Sequence, residues 1–149
     1  MTSLLFFAYP QLWAADEDTT SASARIDVKK AMTEVRAKLS NKKYKSALRQ
    51  LKRITAQEPR NADAWNLRGF SERKLGKLKR AGKAYSRALK LNPNHKGALE
   101  YQAELFLQQN NVDKANANRV RLAALCPDGC TELERLDKAL NGEGKQDWY

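Results

Sequence analysis

The chain has 149 residues, which suits one domain around one continuous core. Four prolines and seven glycines are too few for a loop-rich β fold, and a mean hydropathy of −0.74 with 30% charged residues describes a well-solvated surface. The formal charge of +11 is uneven: residues 22–90 carry +16, the chain from Leu91 onward −2 and the first 21 residues −3, an asymmetry that points either to an anionic partner or to a solvated helical face.

Residues 1–15 form an apolar stretch ending in Ala14-Ala15, which resembles the end of a secretory signal peptide. It is too short to span a bilayer as a helix. No Lys or Arg precedes it and no clean Ala-x-Ala occurs; a start assigned too far downstream would account for the missing basic part. The expected location is therefore periplasmic or secreted, with a greasy cytoplasmic tail as the alternative. Residues 16–24 read as an unstructured linker.

From there the chain repeats. Pro59, Pro93 and Pro127 lie 34 residues apart, and the same step links Ala47, Ala81 and Ala115, then Tyr44, Leu78 and Val112, then Ile54, Ala88 and Leu122. A fixed period of this length marks stacked supersecondary units. The units are 28–61, 62–95 and 96–129, within a domain spanning 25–141. In the middle unit, Ala62 to Leu75 reads as a first helix, Gly76-Lys77 as the turn and Leu78 to Leu91 as a second helix, with the proline at 93 forbidding its continuation. Turns are expected near 41–43, 59–61, 76–77, 93–95, 110–111 and 127–130. Apolar residues at Leu78, Ala81, Ala84, Tyr85, Ala88, Leu89 and Leu91 form one buried stripe. Gly69 and Ala81 let the two helices approach closely, and Trp65 and Tyr85 fill the remaining volume. No single pair can bury its apolar face alone, so neighbouring pairs must stack.

Past the third unit, Thr131 with Glu134 has the form of a capping box, and Leu133, Leu136 and Leu140 share one helical face. Residues 131–141 read as a terminal capping helix and 142–149 as a flexible tail.

The stretch from Ala62 through Trp65 and Leu67 to Gly69, with Leu75-Gly76, Ala81, Tyr85, Ala88-Leu89, Leu91 and Pro93, resembles the tetratricopeptide repeat, over roughly residues 28–127. Val35 and Ala103 stand where the packing glycine is usual, Arg119 replaces the large residue of the second helix, and Arg68 and Glu72 occupy usually apolar positions. The resemblance implies an all-α, right-handed solenoid of three helix-turn-helix units plus the cap, and a protein-binding scaffold rather than an enzyme. The Leu125-Cys-Pro-Asp-Gly-Cys130 turn is similar to that of small exported repeat proteins of Gram-negative bacteria.

Cys126 and Cys130 are the only cysteines. In an exported protein they are most simply a disulfide, worth about 2 kcal/mol for so short a loop; two reduced thiols, a metal site and a redox site are the alternatives, the metal site short of ligands because His95 is the only histidine. His95 reads as an ordinary polar turn residue. No nucleophile, phosphate-cradling loop, metal set or cofactor motif stands out, so neither a cofactor nor a small-molecule substrate is expected.

Two surfaces remain as binding candidates. The first helices of the units should line an inner groove with Lys29, Met32, Arg36, Leu39, Asn66, Phe70, Arg73, Lys74, Glu100, Glu104, Leu107 and Gln108, basic at one end and acidic at the other, with Phe70 as the anchor for a protein or peptide partner. On the second helices, Lys45, Arg49, Lys52, Arg53, Lys79, Arg80, Lys83, Arg87 and Lys90 lie off the buried stripe and should project from the convex side, where lipid head groups or nucleic acid could meet them.

Overall fold

A computed structural model describes residues 25–143. The leader at 1–15, the linker at 16–24 and residues 144–149 of the expected tail lie outside the described residues. Seven helices follow in order: α1 (Val28–Ser40), α2 (Tyr44–Gln57), α3 (Ala62–Lys74), α4 (Leu78–Leu91), α5 (Lys96–Gln108), α6 (Val112–Leu125) and α7 (Thr131–Leu140). Among the described residues there is no strand. Each turn falls where the sequence places it, within a residue.

The period governs the helix ends as well as the prolines. Asp27, Asn61 and His95, 34 residues apart, are the N-caps of α1, α3 and α5, and each side chain accepts from the backbone N–H three residues on. Such acceptors satisfy donors that a helix start leaves bare. At the other end, Lys42, Gly76 and Asn110 take the left-handed conformation, with φ of 54°, 71° and 57°. The residue after each donates to the carbonyl five positions back, Lys43 to Lys38, Lys77 to Glu72 and Asn111 to Phe106, all at 2.8 Å. That is the Schellman closure, and only the middle unit supplies the glycine that adopts it without strain.

Within the middle pair, the ring of the fully buried Tyr85 lies against the backbone of Gly69: a Cβ built there would stand 2.6 Å from the ring. At the equivalent positions the first unit has Val35 with Leu51, both fully buried in one cluster. Trp65 does not share this core. It is half-buried, its Nε1 donates to the Pro59 carbonyl at 3.0 Å, and the Arg68 guanidinium lies 4.9 Å over its ring. The indole faces the turn between units because its N–H needs an acceptor that the apolar core does not offer.

Neighbouring units are joined by polar contacts as well as apolar ones. Arg68 bonds Thr55 at 3.0 Å and pairs with the buried Glu72 at 3.4 Å, which explains why charged residues occupy two usually apolar positions. Asn118 bonds the Leu99 carbonyl and Gln102, and Gln102 reaches Ser86, tying α4, α5 and α6 together.

The last helix is fastened from three sides. Cys126, the C-cap of α6, and Cys130, the N-cap of α7, are disulfide-bonded, with Cα atoms 5.7 Å apart. Arg119 meets Asp137 through both carboxylate oxygens; the residue that replaces the usual large side chain thus reaches α7. Arg135 grips both oxygens of Glu100 on α5, at 2.5 and 2.7 Å, although Glu100 is 0% exposed. The capping box does not form. The bridged Cys130, in extended backbone, takes the cap position and leaves Thr131 as the first helical residue, with no side-chain cap bond.

Two outcomes follow from these contacts. Gly69→Ala should destabilise the fold by about 1–3 kcal/mol through overpacking against Tyr85, read as a lowered urea midpoint, whereas Ala at the equivalent position 103 is native; an unchanged midpoint would mean that α3 and α4 are not in close contact. The second concerns pH. Burial pushes the Glu100 carboxyl up to about 7, against the pull of Arg135. An acid that holds its proton more tightly folded than unfolded costs nothing below its ordinary 4.5; its penalty grows as pH rises towards 7 and is complete above that. The stability of Glu100→Gln relative to the native chain should therefore rise between about pH 5 and about pH 8, by up to roughly 3 kcal/mol. Parallel stability profiles would contradict this.

Candidate functional site

The first helices of the pairs face one another across the stack: α3 packs directly on α5, and α5 on α7. Between these three helices opens a cleft of about 520 Å³, lined by Phe70, Arg73, Lys74, Glu100, Tyr101, Glu104, Arg135, Lys138, Ala139 and Glu143. Its floor is aromatic. Phe70 is half-buried, with its ring 4.9 Å from that of Tyr101 and 6.1 Å from that of Tyr44, and Tyr101 continues the series to Tyr85 at 6.4 Å. The Arg73 guanidinium and the Lys74 ammonium lie 5.8 and 5.9 Å from the centre of the Phe70 ring, within cation–π range.

The charges of the cleft are layered. Arg73 is only 2% exposed and pairs with Glu104. Glu100 lies beneath Arg135, whose side chain is 48% exposed. The two carboxylates are thus drawn down into ion pairs, while Arg135 and the exposed Lys138 face the opening. Burial also pushes the Tyr85 hydroxyl upwards, opposed by its neighbour Arg73, so a neutral phenol and a paired guanidinium sit behind the cleft.

Of the groove residues expected from sequence, Phe70, Arg73, Lys74, Glu100 and Glu104 come together here. Three of these stand differently from the expectation. Arg73 and Glu100 are buried in ion pairs rather than displayed, and Phe70 is a link in a ring series rather than a surplus aromatic. The remaining candidates lie elsewhere. Met32 is in the core with Ala31 and Val35, and Asn66 is buried. Leu39 packs on the same cluster and Leu107 on that of the third unit. Lys29 is exposed outside the cleft, and Gln108 is partly buried. Arg36 is exposed and meets Asp63 at 3.6 Å. Asp63 also contacts His95 Nε2 at 2.9 Å; since Nδ1 of that ring accepts from the Ala98 N–H, the ring proton sits on Nε2 and is donated to Asp63. His95 is thus the cap of α5, held by an acid of α3.

Sequence reasoning missed Tyr101, Arg135, Lys138, Ala139 and Glu143. The signal for two of them was available: on α7, Arg135 and Lys138 are three apart and therefore share a face, opposite in role to the leucines. Besides closing the apolar end of the stack, α7 is one wall of the cleft.

Comparison with known proteins fits this architecture. A family model described as tetratricopeptide repeat matches residues 32–94 and 71–118. Superkiller complex protein 3 of Homo sapiens is 32% identical over 87 residues, 58% of this chain but 6% of that protein, so the chain spans a small fraction of that relative. Among solved structures, the Yersinia enterocolitica type III secretion chaperone SycD, in complex with a peptide of the translocator YopD, superposes with a TM-score of 0.67 at 14% identity, covering 77% of this chain and 87% of that one. The TPR2B domain of yeast Sti1, from its pHsp70 complex, gives 0.70 at 14% identity, covering 80% and 97%. With the matched family model covering more than half of its length, the chain belongs to the tetratricopeptide repeat family.

Proposed function

We propose that the protein is a non-enzymatic adaptor that holds a segment of a partner protein in the cleft between α3, α5 and α7. The observation that carries this reading is the pair of rings, Phe70 and Tyr101, on the floor of an open 520 Å³ cleft whose rim carries Arg135 and Lys138. Apolar floors with a few placed polar groups suit the burial of a peptide side chain. The same fold holds a YopD peptide in SycD and pHsp70 in the Sti1 domain, which supports a peptide or protein partner here. The Cys126–Cys130 bond supports an oxidising compartment such as the periplasm or the extracellular space.

Arg73 and Arg135 are poor probes, because Arg73 is itself buried in its pair with Glu104 and removing Arg135 strands the buried Glu100 carboxylate. Phe70→Leu with Lys138→Glu is cleaner: the first keeps most of the volume and the second alters an exposed side chain, so stability should fall by less than about 1.5 kcal/mol. In affinity capture from a cell-envelope extract followed by mass spectrometry, this double variant should lose the partner that the native chain retains. Retention of the same partner, with native helical content, would remove the cleft as the site.

A further inference from the structure

Away from the cleft, the largest uncompensated feature of the molecule is electrostatic. The sequences of α2 and α4 contain nine Lys or Arg and no Asp or Glu. All nine cations, Lys45, Arg49, Lys52 and Arg53 on α2 and Lys79, Arg80, Lys83, Arg87 and Lys90 on α4, are exposed. Among the described residues none of them enters an ion pair, in contrast to Arg68 and Arg73 of α3 and Arg135 of α7. Six fall in three columns at the repeat step, Lys45 with Lys79, Arg49 with Lys83 and Arg53 with Arg87. Within each helix the four-residue spacing sets these charges about 6 Å apart along one face. In the third unit the same columns read Asp113, Ala117 and Arg121, so the patch ends there.

A face that is merely solvated mixes both signs and offsets like charges with i,i+4 partners. This one does neither, and its self-repulsion opposes folding. The inner side of the stack is the one on which α3 meets α5; α2 and α4 lie on the outer side, where no contact of that size joins them.

We propose that this outer face docks on an anionic lipid surface. Clustered cations are attracted to such a layer without needing any specific geometry. Nucleic acid fits less well on two grounds. A single strand wants rings to stack on, and the aromatics of these two helices are turned away: Tyr85 is fully buried and Tyr44 packs on Phe70. A duplex is a rod, and a convex face touches a rod over less area than it touches a plane. No helix among the described residues is long and apolar enough to cross a membrane; the contact proposed is that of the charged face with the lipid surface. Seated this way, the molecule turns its cleft away from the bilayer and leaves it open to a partner.

The test is sedimentation of the full chain with vesicles of phosphatidylcholine alone and with phosphatidylserine added. Binding should require phosphatidylserine and be released as salt shortens the screening length from about 30 Å to about 3 Å. Neutralising Lys45, Arg49, Arg53, Lys79, Lys83 and Arg87 to Gln should lower the partition coefficient more than a hundredfold, at about fivefold per charge near the surface. If that variant loses helical content, Lys79, Lys83 and Arg87 to Gln alone should still lower it more than tenfold. Lys138→Glu, in the cleft, should leave vesicle binding unchanged. Equal binding to the uncharged vesicles, persistence in high salt or full retention by the variants would overturn the proposal. So would binding to a short DNA duplex at lower protein concentration than to the anionic vesicles, which would make nucleic acid the partner of this face.

Discussion

The contact of the Tyr85 ring with the backbone of Gly69 is the constraint from which the rest of the middle unit follows. It sets how closely α3 and α4 lie. It also fixes the Tyr85 hydroxyl near Arg73, whose guanidinium, despite the opposing effect of burial, is held above its ordinary value by Tyr85 and Glu104. Arg73 in turn holds Glu104 of the next unit. A packing requirement inside one helix pair thus becomes a link between pairs. The ring series from Tyr44 through Phe70 and Tyr101 to Tyr85 runs alongside it and spans all three units.

How much of this was legible in the sequence depends on how many sides of a helix are covered. The helices α2 and α4 each present one buried stripe, Ala47, Leu51 and Ile54 on one and Ala81, Tyr85 and Ala88 on the other, and periodicity finds such stripes directly. The helices α3 and α5 are packed on several sides. Their buried residues include Asn66, Ser71, Glu72 and Arg73 on α3 and Glu100 and Gln102 on α5. When polar side chains are buried in pairs across units, an apolar period no longer separates inside from outside. That is why Arg73 and Glu100 read as groove surface and Trp65 as core. The caps show the converse. Asp27, Asn61 and His95 share a period and a role, but three different residue types conceal it, whereas the three prolines announce it.

The two faces of the stack divide the charge between them. Inner helices carry acids that are neutralised by arginines of neighbouring units, and those ion pairs hold the units in register at the cost of desolvation. The outer helices α2 and α4 carry cations that form no ion pair among the described residues. The inner side therefore offers an aromatic floor and a polar rim suited to one protein segment, and the outer side offers charge alone, suited to a broad anionic surface. Under the two proposals above, such a scaffold would bring a partner protein to an anionic surface.

The central claim is that the cleft between α3, α5 and α7 is where a partner protein sits. A photo-crosslinking residue placed at Lys138, in the cleft wall, or at Ala117, on the exposed side of α6, tests it in the living cell. The account predicts a discrete protein adduct from position 138 that is lost with Phe70→Leu, and none from position 117. Adducts from position 117 with none from position 138 would contradict it.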